Sequence, residues 1–192
     1  MRVQNRRRTN AYFRKAGNMN LREQLATRIH GKVVIMGIGN PCRGDDAAGS
    51  FVARQISEVP GMRVIDVQDV PESYLCWAVD QRPDTVVLID SVDLNSAPGS
   101  IAILAKDQVA GYGPSTHRVP ISLLMDYLER ETHARVFLIA IQPRQTAFLK
   151  PMSGEVRASV AGIGEVLNGV LESLRMSAEA AFADSLTRKV PA

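Results

Sequence analysis

Short charge-free runs of aliphatic residues, separated by stretches of helical period, most narrowly limit what this chain can become. Val33-Val34-Ile35-Met36, Val86-Val87-Leu88-Ile89 and the run from Val136 to Ile141 are apolar at successive positions and too short for buried helices. That is the pattern of strands covered on both faces. Residues 62–67 read as a further strand, and Ser100 to Leu104, reached through the Pro98-Gly99 turn, as a short one. Between them a helix is expected to open at Asp45-Asp46 and bury Phe51, Val52 and Ile56. Another starts at Pro71-Glu72, with Tyr74, Leu75, Trp77, Ala78 and Val79 as apolar surface. Residues 119–131 place Ile121, Leu124, Met125 and Leu128 at helical spacing. From Ser153 a long helix repeats Val156, Val160, Ile163, Leu167, Val170, Leu171 and Leu174. Strands alternating with helices predict one three-layer α/β/α domain with a mostly parallel twisted sheet. Residues 100–104 follow their neighbour after so short a turn that they predict one antiparallel edge strand.

Charge divides the chain unevenly. The formal net charge is +3, yet residues 1–30 hold seven arginines and Lys15 against Glu23, so the remainder sums to −4. The expected organisation is a flexible basic extension over 1–30, a folded domain over 31–175 and a fraying tail over 176–192. A basic extension can meet nucleic acid or an anionic surface, but simple solvation explains it equally, and no nucleic-acid partner is expected. Met19 is a candidate start, because Asn20-Leu21-Arg22-Glu23 leads directly toward the first strand. No apolar segment follows Arg6-Arg7-Arg8 as a secretory or twin-arginine signal requires. No run approaches the ~20 apolar residues that span a bilayer, so no membrane insertion is expected. Cys42 and Cys76 form neither a C-x-x-C pair nor a disulfide framework, which suits reduced thiols in a cytoplasm.

Ligands of an open α/β sheet gather beyond the carboxyl ends of its strands. Asp46 follows the first strand and its glycine turn, Asp90 closes the Val86–Ile89 run, and His117 lies in the irregular segment 105–119. The turn Gly37-Ile38-Gly39-Asn40-Pro41-Cys42-Arg43-Gly44 invites a nucleotide reading, but Cys42 stands where a dinucleotide fingerprint needs its third glycine. As a phosphate loop it has Asp45 in place of lysine. Two carboxylates at a helix start repel a phosphate. A capping role suits Asp45 and leaves Asp46 to point elsewhere. Asp90 is drawn from water at a strand end, which demands backbone donors, a partner or a cation. Two carboxylates and an imidazole suit a borderline divalent metal such as nickel or zinc, with open positions for a substrate. The same trio can do general acid–base work. A Cys42–His117 thiol dyad has nothing to orient it, and no G-x-S-x-G elbow exists. Asp66 and Glu72 either line the cleft or cap their elements. His30 and His133 lie in polar contexts and look incidental.

Taken in order, these motifs resemble the nickel–iron hydrogenase maturation endopeptidases. The family's opening signature matches Gly37-Ile38-Gly39-Asn40 through Asp45-Asp46-Ala47-Ala48-Gly49. Its strand-end aspartate and Pro-Gly match Ile89-Asp90-Ser91-Val92-Asp93 through Pro98-Gly99, and its loop histidine matches Ser115-Thr116-His117 with Pro120. Pro71-Glu72, Ile141-Gln142-Pro143 and Pro151-Met152 are similar to the formate-hydrogenlyase branch. The likeness covers roughly residues 32–172. It departs at Ala47, where many relatives have glycine, at Cys42, where an apolar residue is common, and in the extra basic residues 1–30. The resemblance implies an α/β/α peptidase that removes the C-terminal extension of a hydrogenase large-subunit precursor after nickel insertion. It also implies Asp46, Asp90 and His117 as metal contacts, with Asp46 and Asp90 as catalytic candidates and nickel supplied by the substrate. Another divalent metal is an in-vitro substitute. Gly39, Asn40, Asp66 and Glu72 are the expected substrate-side positions. The rival reading is a nickel-sensing binding or chaperone protein of the same fold that does not cut.

Overall fold

A computed structural model describes residues 19–109 and 119–187. Its centre is a five-stranded sheet of β1 (Val33–Ile38), β2 (Met62–Gln68), β3 (Thr85–Ser91), β4 (Ile101–Leu104) and β5 (Arg135–Ile141), in the order β2-β1-β3-β5-β4. Four strands run parallel, and β4 alone is antiparallel, pairing Ile101 with Ile141 and Leu104 with Leu138. The expected fold class holds, including its antiparallel edge.

Successive side chains of a strand point to opposite faces, so each uninterrupted apolar run feeds two cores. Val33, Ile35, Val87, Ile89, Phe137, Ile139 and Ile141 pack under α1 (Leu21–Ala26), α2 (Ala48–Ala53) and α6 (Gly154–Thr187). Val34, Met36, Val86, Leu88, Val136 and Leu138 meet residues of α3 (Leu75–Asp80) and α5 (Ile121–Thr132). A single helical turn of four residues, α4 (Lys106–Val109), follows β4 within the segment expected to be irregular. Among the described residues no helix is long and apolar enough to cross a membrane.

The folded unit begins earlier than expected, because part of the basic extension belongs to it. Asn20 and Glu23 form a reciprocal capping box on α1, and Leu25 and Ile29 are buried in the core. Thr85 Oγ1 in β3 donates to the His30 carbonyl at 2.8 Å and accepts from the His30 amide at 3.1 Å. At the other end α6 continues to Thr187, past the expected boundary at 176, since its Ala-rich sequence propagates a helix well. Phe51 was expected inside and is exposed instead, beneath the Arg54 guanidinium at 5.2 Å. The buried stripe runs through Ala48, Val52 and Ile56, and Phe51 lies beside it.

Candidate functional site

The carboxyl ends of β1 and β3 lie side by side, with Gly37 in register with Ile89. Helix α2 descends onto both at very close range. A Cβ on Gly49 would stand 2.0 Å from the Ile89 carbonyl oxygen and 2.4 Å from that of Ile38. Only a residue without a side chain allows this approach.

Between β1 and α2 the glycine turn folds back on itself. Gly39, at φ 140°, donates its amide to Gln68 O at 2.8 Å, and a Cβ there would lie 1.9 Å from Asp46 O. Asn40 Oδ1 accepts from the Cys42 amide at 2.9 Å, while Asn40 Nδ2 donates to Asp69 Oδ2 at 2.9 Å. The space beside Gly39 is thus filled by the protein's own backbone, and the Asn40 side chain is committed to shaping the turn.

A 3-10 turn, Gly44–Ala47, follows and carries the two adjacent acids. Asp45 is fully buried and does not cap its own helix, contrary to expectation. Its Oδ2 accepts from Arg144 N at 2.8 Å, Gln145 N at 3.1 Å and Ser153 Oγ at 2.9 Å, and its Oδ1 accepts from Ser153 N at 2.6 Å. Four donors satisfy a buried carboxylate without any cation. Asp46, 1% exposed, accepts from the Asn40 amide at 3.1 Å through Oδ2. Asp90, also 1% exposed, sits in β3 opposite Ala140 and accepts from the Ser91 amide at 2.7 Å through Oδ1. Asp90 thus lies near the end of β3, and Asp46 lies in the 3-10 turn that follows β1, both out of water.

His117 lies outside the described residues. The described chain resumes at Val119, two residues before α5. Among the described residues no group of three His, Cys, Asp or Glu could hold a metal ion. Asp66 is taken up by Arg54, whose Nε and terminal nitrogen approach its Oδ2 at 2.8 and 2.7 Å. Glu72 stands in the 3-10 turn Pro71–Tyr74, with its Oε2 buried and without a hydrogen-bond partner among the described residues.

Sequence reading gave Gln142 no role beyond its place in the Ile141-Gln142-Pro143 motif. It is buried, and its Oε1 accepts from Leu94 N at 2.6 Å and Ser96 N at 3.2 Å, which holds the loop that follows Asp90. A glutamine placed directly after seven strand residues and before Pro143 was the available signal.

Comparison with known proteins follows the same lines. A family model described as HycI, hydrogenase maturation protease, matches residues 51–169. The hydrogenase 3 maturation protease of Escherichia coli strain K12 is 30% identical over 139 residues, covering 71% of this chain and 88% of that protein. The NiFe hydrogenase maturation protease HycI from Thermococcus kodakarensis KOD1 has a similar structure, with a TM-score of 0.72 at 28% identity. That match covers 78% of this chain and 99% of the archaeal one. The solution structure of endopeptidase HycI from Escherichia coli matches with a TM-score of 0.66 at 28% identity, covering 72% and 90%.

Proposed function

Because the chain belongs to the HycI hydrogenase maturation proteases and is a peptidase of that family, we propose that it removes the C-terminal extension of a nickel–iron hydrogenase large-subunit precursor. The observation that carries this reading is the pair of almost fully buried carboxylates, Asp90 in the last part of β3 and Asp46 in the 3-10 turn that follows the neighbouring strand β1. Asp45, equally buried, is explained by its four donors.

In this reading nickel arrives with the substrate. Asp46, Asp90 and His117 offer two carboxylate oxygens and a neutral imidazole nitrogen, a donor set suited to a borderline divalent ion. A divalent ion would add compensation for two carboxylates held out of water, so a loaded precursor is preferred over an empty one. One of the aspartates then takes a proton from water as the oxygen attacks the scissile carbonyl, and returns it to the departing amine. Glu72 is the remaining candidate for a substrate-side contact, through the buried Oε2. A cytoplasmic setting suits the exposed free thiols Cys42 and Cys76.

The test is mass spectrometry of a nickel-loaded large-subunit precursor before and after incubation with the protein. Wild type is expected to shorten it, and Asp46→Asn and His117→Ala each to abolish shortening while remaining folded. Undiminished processing by both variants would remove the proposed metal contacts. A wild-type protein that binds the precursor and never shortens it would instead be a nickel-sensing chaperone.

A further inference from the structure

Beyond β5 the chain crosses the sheet edge in a loop, residues 142–153, that is unusually well fastened. Asp45 receives the amides of Arg144, Gln145 and Ser153. Gln145 accepts from Ala147 N through Oε1 at 3.1 Å and donates from Nε2 to Pro151 O at 2.9 Å. Leu149 N donates to Cys42 O in the glycine turn at 2.7 Å. A loop tied at so many backbone positions holds one shape. What it displays is apolar: Phe148 is 63% exposed and Leu149 74% exposed.

A single exposed apolar residue needs no explanation. This pair is different on two counts. Leu149 has φ 56°, a conformation that glycine adopts without strain and leucine does not. The loop therefore carries a bulky side chain where the backbone alone would favour none, and that side chain packs against little of its own fold. The pair is also anchored to the residues that position Asp46, through Cys42 on one side and Asp45 on the other.

We propose that Phe148 and Leu149 are specificity-determining residues that seat an apolar stretch of the polypeptide substrate beside the cleaved bond. This rests on the proposed peptidase reading for its occupant. The shelf is joined through Cys42 O to the turn that leads into Asp46, so a substrate chain that reached Asp46 along this turn would meet it. Rigid presentation lowers the ordering cost of docking, and two large exposed apolar side chains supply area that a partner can remove from water.

The experiment measures both association with a nickel-loaded large-subunit precursor, by surface plasmon resonance, and its cleavage, by mass spectrometry. Phe148→Ser with Leu149→Ser is expected to weaken binding about tenfold or more, scaled from the apolar surface lost, and to raise KM while leaving kcat nearly unchanged. Leu149→Gly removes the side chain and relieves the backbone, so it should be at least as stable as wild type and still bind weakly. Met176→Ser is the control. It removes an equally exposed apolar residue more than twenty positions along α6, about 30 Å from the start of that helix, and should change nothing. Unaltered binding and KM in the serine pair and in Leu149→Gly would overturn the proposal and leave the peptidase reading intact. A wild-type protein that binds but never cuts, with the serine pair binding weakly, would overturn the peptidase reading and support the shelf. Absence of any binding by wild type would overturn both.

Discussion

At the end of β3 the candidate acid belongs to the strand: Asp90 is in register with Ala140, and its place follows from the ladder. At the end of β1 the corresponding acid, Asp46, lies eight residues past Ile38, beyond a turn that doubles back and bonds to itself. The first position is set by local pairing. The second depends on contacts brought from far along the chain, chiefly the Asp45 carboxylate and the loop 142–153. Two acids of one candidate site are thus held by different physics, and they should fail in different ways.

The severest disturbance is expected where the two regions meet. Gly49→Ala pushes a methyl group against the carbonyl oxygens of both Ile38 and Ile89. These are backbone atoms that cannot rotate aside, so about 3 kcal/mol of stability should be lost, read by chemical denaturation. A variant as stable as wild type would show that the strand ends and α2 are not in such close contact. Next in size is Asp45→Asn, which weakens four charge-assisted bonds and should cost about 2 kcal/mol. Its neighbour supplies the contrast: Asp46→Asn should shift stability by less than about 1 kcal/mol while abolishing precursor processing. Equal stability losses at 45 and 46 would erase the distinction between anchor and working group.

On the β3 side, Gln142→Ala leaves the amides of Leu94 and Ser96 without their acceptor and should cost about 1.5 kcal/mol. It should loosen residues 92–99 without reaching the glycine turn, which amide hydrogen exchange would register. The smallest effect belongs away from both ends, where Lys106 bridges Asp126 and Glu129. The hydrogen bond from Lys106 holds Asp126 below the usual carboxylate range, with Arg130 adding to it. A depressed acid stabilises the fold above the ordinary carboxylate range and loses that contribution as pH falls through its own lower value. Lys106→Ala should therefore lower stability slightly at neutral pH, by no more than an exposed pair contributes, and leave it unchanged at acid pH, so that the acid limb of the pH–stability curve flattens.

The strands and most helices were legible because uninterrupted apolar runs and helical spacing report burial directly, and both β3 with Asp90 and β4 at its edge followed from them. Asp46 was legible as an acid after a strand and a glycine turn. The part played by Asp45 was not, because its partners lie 99 to 108 residues away and nothing in Ser153 or Arg144 advertises them. Gly39 misled for a related reason. A glycine in a turn signals missing bulk, but not whether substrate or the protein's own Asp46 backbone fills the space. Phe51 misled because the register of α2 is set by glycine-close packing through Ala48 and Val52 rather than by the bulkiest residue.

The Asp45 bonds also have a consequence in time. Loop closure over a hundred residues is slow compared with forming a neighbouring turn, so the segment around Asp46 reaches its final shape only after β5 and the first turn of α6 are in place. Competence is then the last property the chain acquires. A chain cut short before Arg144 would carry every acid of the candidate site and hold none of the side-chain bonds that fix Asp45.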